Sequence, residues 1–129
     1  MLDGLLIRAP WIEKILDGSK TWEIRGSHTN KTGRIALIES GTGSIVGVVE
    51  LVAVVGPLSL KELSQNRRKA GFDSDEPLFR LPYKRTFAWV LQNPRRLQPV
   101  SYIHPSGAVI WVNLKPNVEH AVLQQIGAN

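Results

Sequence analysis

The chain has 129 residues and no cysteine. That size can hold one hydrophobic core without staples, and the missing thiols exclude disulfides, cysteine nucleophiles and thiolate zinc sites. The net charge is +5, all of it in residues 61–96, where nine basic residues stand against four acidic; the rest of the chain carries seven of each. A basic surface so localised fits a polyanionic partner, nucleic acid first.

The N-terminus, MLDGLLIRAP, lacks the basic n-region and long apolar h-region of a secretory signal. No apolar run reaches membrane length, and the longest, Ile45 to Val55, contains Glu50. A cytoplasmic protein with no membrane partner is expected. His28, His104 and His120 lack metal-ligand spacing, so neither a metal nor another cofactor is expected.

GLLIRAP reads as a short strand ended by proline. PWIEKILDG then reads as a helix, with Pro10 suited to its first position and Trp11, Ile12, Ile15 and Leu16 on one face. Gly18 falls where a helix end wants a left-handed residue. A strand begins near Lys20. GRIALIES and SIVGVVELVAVVG are two further strands joined by a GTGS turn, the second apolar enough to be buried on both sides. SLKELSQNRRKAG reads as a helix capped by Ser59, with Glu62 completing a capping box and Gly71 beyond its end. FDSDEPLFRLPY is loop or short helix. RTFAWVLQNPRRLQPV is a strand turned at Asn93–Pro94, YIHPSG a turn, and AVIWVNL the last strand. NVEHAVLQQIG, after Pro116, has the pattern of a terminal helix. Grouped strands disfavour a doubly wound sheet. The expectation is an α+β protein: a small, mostly antiparallel β-barrel of about six strands with flanking short helices. Residues 1–129 read as a single domain, with a core of about 5–115 and a C-terminal tail or helix.

In GSKTWEIRG, residues 18–26, strand alternation puts Glu23 and Arg25 on one face and Lys20, Trp22 and Ile24 on the other. Lys20 follows directly on the helix-ending glycine, so its backbone need not yet be pleated and its long stem can bring the ammonium beside Glu23. The three charges would then crowd one wall and perturb each other's protonation.

LIRAPWIEKILDGSKTWEIRG resembles the signature of the ASCH domain, a branch of the PUA-like barrels. That signature is a strand, a helix of the form P-x-x-x-x-I-L-x-G, then G-x-K-x-x-E-x-R, here Gly18, Lys20, Glu23 and Arg25. The likeness continues through IVGVVELVAVVGPLSLKEL and resumes at FAWVLQNPRRLQPVSYIHPSGAVIWVNL, with its N-P turn and W-x-x-L ending. The resemblance implies a PUA-like β-barrel with a cleft lined by the motif residues, and recognition of RNA or a nucleotide. Some members of the family are enzymes, a ribonuclease and an N4-acetylcytidine amidohydrolase among them. The amidohydrolase branch carries threonine where Glu23 stands here, so its lysine–threonine–glutamate arrangement does not transfer intact; Glu50 is the candidate for its glutamate.

Three functions follow as expectations. In the first, an RNA-binding module, Arg67, Arg68, Lys69, Lys84 and Arg85 contact phosphates, Tyr83 and Ser27 assist, and Trp11 or Trp22 stacks a base. The second is an RNA-directed hydrolase. There Lys20 or Glu23 removes a proton, Arg25 or Lys20 stabilises developing charge, and Thr21, Ser27 and Tyr83 are the nearby hydroxyls. The third is a protein-interaction module that keeps the cleft without its chemistry.

Overall fold

The computed structural model describes residues 1–127. In chain order these form β1 (Asp3–Ile7), α1 (Trp11–Leu16), β2 (Trp22–Arg25), β3 (Gly33–Glu39), β4 (Ser44–Val55), α2 (Leu60–Gln65), β5 (Phe87–Ser101), β6 (Trp111–Asn113) and α3 (Pro116–Gln125). The strands make one sheet in the order β2-β5-β4-β3-β1-β6, curled into a half-barrel of PUA-like α+β type. Every neighbouring pair is antiparallel except β1 and β3, which run parallel with Leu5 opposite Leu37.

Both faces of the central strands are buried, which explains their near-continuous apolar sequence. On one face Leu5, Ile7, Leu37, Val49, Leu51, Trp89 and Leu91 pack with Ile12, Ile15 and Leu16 of α1. On the other face Leu6, Ala36, Ile38, Ile45, Val48 and Val112 pack with Val122 of α3. Beyond Leu51 the far end of β4 is largely uncovered, with Val52 and Val55 exposed. A third, smaller cluster gathers Trp22, Leu58, Leu63, Ala70 and Ala88 beside α2.

Several boundaries differ from the sequence expectation. Asn93–Pro94 does not turn the chain; β5 runs unbroken through fifteen residues. Gln92 pairs with Glu50 and Arg95 with Val48, so β5 spends one residue more than β4 over that stretch. This is a β-bulge, made possible by Asn93 at φ 54 and tolerant of a proline that has no N–H to offer. The Asn93 amide donates to the Glu50 carboxylate at 3.0 Å, which binds the bulge to its partner strand.

Helix α2 carries the expected capping box between Ser59 and Glu62 but stops at Gln65. Asn66 caps it by donating its side-chain amide to the Glu62 carbonyl at 2.8 Å. Residues 67–71 then form turns that end at Gly71, φ +82. Strand β6 is only three residues long, because the Val109–Ile110 stretch leading up to it is bent out of the pleat. Pro10 occupies the N-cap of α1 instead of the first helical position. No helix among the described residues is long and apolar enough to cross a membrane.

Candidate functional site

Helix α1 ends at Leu16 with Asp17 as its C-cap, and Gly18 (φ +87) reverses the chain. The amide of Lys20 still donates to the Lys14 carbonyl at 3.0 Å, and the pleat begins only at Trp22. Lys20 therefore escapes the alternation of β2. Its side chain runs inward with the residue 3% exposed, and Nζ donates to the carbonyl oxygens of Trp22 and Ala70, both at 2.6 Å. Glu23 Oε1 lies 3.6 Å from the same nitrogen. Burial pushes the Lys20 ammonium down from 10.5 to about 8, against the opposing pull of Glu23.

Glu23 is 7% exposed. Its Oε2 accepts from Arg25 Nε at 2.9 Å and lies 2.8 Å from Nη2. The same Nη2 donates to the Leu6 carbonyl at 2.7 Å, which ties the edge strand β2 to the end of β1. The guanidinium lies 5.5 Å over the ring of Trp89, itself stacked on Trp111 at 5.6 Å. One carboxylate thus joins two cations that the fold holds in place by backbone carbonyls. No buried side-chain nitrogen or oxygen lacks a partner among the described residues.

Two glycines make room for this arrangement. A Cβ on Gly71 would stand 3.0 Å from Lys20 Cδ, at a φ of +82 that side chains rarely adopt. A Cβ on Gly26 would meet the Tyr83 ring at 2.8 Å. Tyr83 therefore packs directly against the backbone that follows β2.

The triad opens into a cleft of about 840 Å³. Arg8 lines it with Lys20, Glu23 and Arg25, and so do the aromatic residues Trp11, Phe72, Tyr83 and Tyr102. Arg8 is exposed, and its guanidinium makes no hydrogen bond or ion pair among the described residues. His104 also lines the cleft. One of its ring nitrogens, Nε2, lies 2.9 Å from the Ala108 carbonyl, and the other, Nδ1, lies 2.9 Å from the Tyr102 hydroxyl. A carbonyl only accepts, so neutral His104 carries its proton on Nε2, and Tyr102 donates to Nδ1. The lone pairs of the Tyr102 oxygen are left as acceptors, and burial raises its pKa.

Trp11 lines the cleft half-buried, with the Lys14 and Lys20 ammonium groups 5.3 and 5.1 Å from its ring and Phe72 edge-on at 5.9 Å. Trp22 does not line it; it is buried beside α2, with Lys69 Nζ 5.4 Å over its ring. Ser27 is exposed outside the cleft, and its carbonyl accepts from Trp89 Nε1 at 2.9 Å. Thr21 stands outside it too, and its backbone N–H donates to the Lys69 carbonyl. Glu50 is held at the β5 bulge.

The basic segment divides into two kinds of cation. Arg67 donates to the carbonyls of Ser74 and Glu76 and so holds the loop after α2. Arg96 pairs with Glu13 at 2.7 Å, and Arg95 donates to the Gln125 carbonyl, fastening α1 and α3 to β5. Arg68, Lys69, Lys84 and Arg85 are exposed instead.

Sequence reasoning missed Arg8, Phe72, Tyr102 and His104. Arg8 and Tyr102 follow the ends of β1 and β5, and only the strand order brings those ends to the mouth that α1 borders. The one local signal was Y-x-H, a tyrosine and a histidine two residues apart.

A family model for the ASCH domain matches residues 5–101. A comparison with curated protein sequences returns no match. Among solved structures, the chain is similar to crystal structures of ASCH from Zymomonas mobilis. The first has a TM-score of 0.73 at 16% identity, over 95% of this chain and 93% of that one. A tyrosine-to-phenylalanine variant of the same protein gives 0.71 at 17% identity, over 95% and 96%. A serine-to-alanine variant gives 0.69 at 18% identity, over 95% and 94%. At such identities the likeness is one of fold.

Proposed function

The chain belongs to the ASCH domain family, and from that premise we propose that its cleft binds single-stranded RNA or a nucleotide cut from it. The observation that carries the reading is the convergence, in one cleft, of an unpartnered cation, Arg8, with the aromatic residues Trp11, Phe72 and Tyr83 and the buried Lys20–Glu23–Arg25 triad. The cleft volume is within the range of small-ligand sites. Bases stack on aromatic faces whatever their sequence, and arginine supplies the phosphate contact. Glu23 Oε1, 3.6 Å from Lys20 Nζ, keeps acceptor capacity for an N–H of the base or a ribose hydroxyl. Lys20 acts here by position: its ammonium, spent on two carbonyls, holds Glu23 facing the cleft.

A second reading, hydrolysis with Lys20 as proton acceptor, draws on its lowered pKa of about 8. Roughly a tenth of such an amine is neutral at pH 7, enough for a general base. Against it stand the two short carbonyl bonds, which that nitrogen would have to reorganise in order to accept a proton.

The test is fluorescence anisotropy with a labelled pentaribonucleotide across a salt series. Binding should weaken with salt, with a log–log slope of about −0.7 per phosphate contact, and Arg8→Gln should remove about one such contact. Tyr83→Ala should lose about 1–3 kcal/mol of stacking. Salt-independent affinity that neither substitution alters would sink the binding reading. Electrophoresis of the same RNA after incubation decides the second reading: cleavage undiminished in Lys20→Ala removes Lys20 as the base.

A further inference from the structure

Beside the main cleft lies a second hollow of about 460 Å³, and the two share the wall made by Phe72, Pro82 and Tyr83. Its charged lining is cationic throughout, Arg80 and Lys84, over a floor that includes Leu63, Leu78 and Leu81. Both cations are exposed and make no hydrogen bond or ion pair among the described residues. In this they differ from Arg67, Arg95 and Arg96, which the fold itself uses. The acidic residues of the same loop are placed elsewhere. Asp73 pairs with Lys14 at 2.6 Å, and neither Asp75 nor Glu76 lines the hollow.

We propose that this hollow is a second nucleotide subsite, so that the ligand is a single-stranded chain crossing the Tyr83 wall and not a free nucleoside or mononucleotide. The inference rests on the cleft reading and extends it. A chain with one base in the cleft must carry its next phosphate over the rim. At the shared wall that phosphate meets two cations with no competing internal partner. The apolar floor and the aromatic wall offer the next base a surface on which every base can stack, which is sequence-tolerant recognition. Free cations over an apolar floor suit a phosphate-linked chain better than either feature would alone.

Calorimetric titration separates the two sites. The probes are the tightest-binding of the ribonucleoside monophosphates and the homopentamer of the same base, each with the wild type and with Arg80→Gln. Arg80 is exposed and unpaired, so the variant should fold, which its melting temperature checks. Wild type should bind the pentamer more tightly than the monophosphate. Arg80→Gln should weaken pentamer binding by roughly fivefold and lower its salt slope by about 0.7, leaving the monophosphate unchanged. Equal affinity for the two probes, or a pentamer affinity indifferent to Arg80→Gln, overturns the second subsite and leaves the cleft reading standing. Failure of both probes to bind the wild type removes the cleft reading and this inference with it.

Discussion

Replacing Lys20 with methionine tests the energetics of the buried ammonium, because methionine keeps the length of the apolar stem and removes the ammonium group at its end. In the unfolded chain the amine titrates at 10.5, and in the folded protein at about 8, with burial as the main cause. The folded state therefore binds this proton less tightly than the unfolded state does. Wherever the unfolded state binds more protons, stability rises with pH. The contribution of Lys20 thus grows from about pH 8 towards pH 10.5, reaching about 3 kcal/mol in full and about 2 kcal/mol between pH 7 and 9.5. The substitution also leaves the carbonyls of Trp22 and Ala70 without their donor. That loss adds a term that does not titrate, and groups such as Tyr102 change both proteins alike. Urea denaturation of wild type and Lys20→Met at intervals from pH 7 to 9.5 reads the difference directly. The wild type should gain on the variant as pH rises. A difference that stays flat, or moves the other way, would mean that the two carbonyls and Glu23 hold the proton more strongly than burial expels it, and the account of this site would be refuted.

Gly71→Ala should cost about 1–3 kcal/mol, because it forces a side chain into a left-handed conformation and brings a Cβ to 3.0 Å from the Lys20 stem. Urea midpoints equal to wild type would show that Lys20 is not confined there. Tyr102→Phe removes the hydroxyl that donates to His104 at 2.9 Å. It should lower RNA affinity by about 0.5–1.5 kcal/mol with little change in melting temperature. An unchanged affinity would take Tyr102 off the contact surface.

Much of the scaffold was legible locally. Ser59 and Glu62 three residues apart announced a helix start that the structure closes with two reciprocal bonds. Gly18 marked the reversal after α1, and apolar runs marked strands buried on both faces. Ends were read less well where a side chain intervened. Asn66 stops α2 by bonding back to Glu62, and Asn93 converts an apparent proline turn into a bulge. A dipeptide such as Asn–Pro is compatible with either outcome, and the register against β4 chooses between them.

The candidate site divides in the same way. Composition and spacing determined that Lys20, Glu23 and Arg25 lie close together, since three residues of one strand and its entry cannot separate. They also determined that the surplus positive charge belongs to residues 61–96. Only the tertiary structure decided the rest: that Lys20 is buried on the carbonyls of Trp22 and Ala70, that Trp22 packs inward while Trp11 lines the cleft, and that Arg67, Arg95 and Arg96 are consumed in holding the fold. Arg8, Tyr102 and His104 joined the site because the strand order β5-β4-β3-β1 brings distant chain ends to one mouth. The physical reason is that local sequence sets backbone conformation and the alternation of faces. Burial, and the freedom of a charge to meet a ligand, depend on which distant backbone groups arrive to claim it.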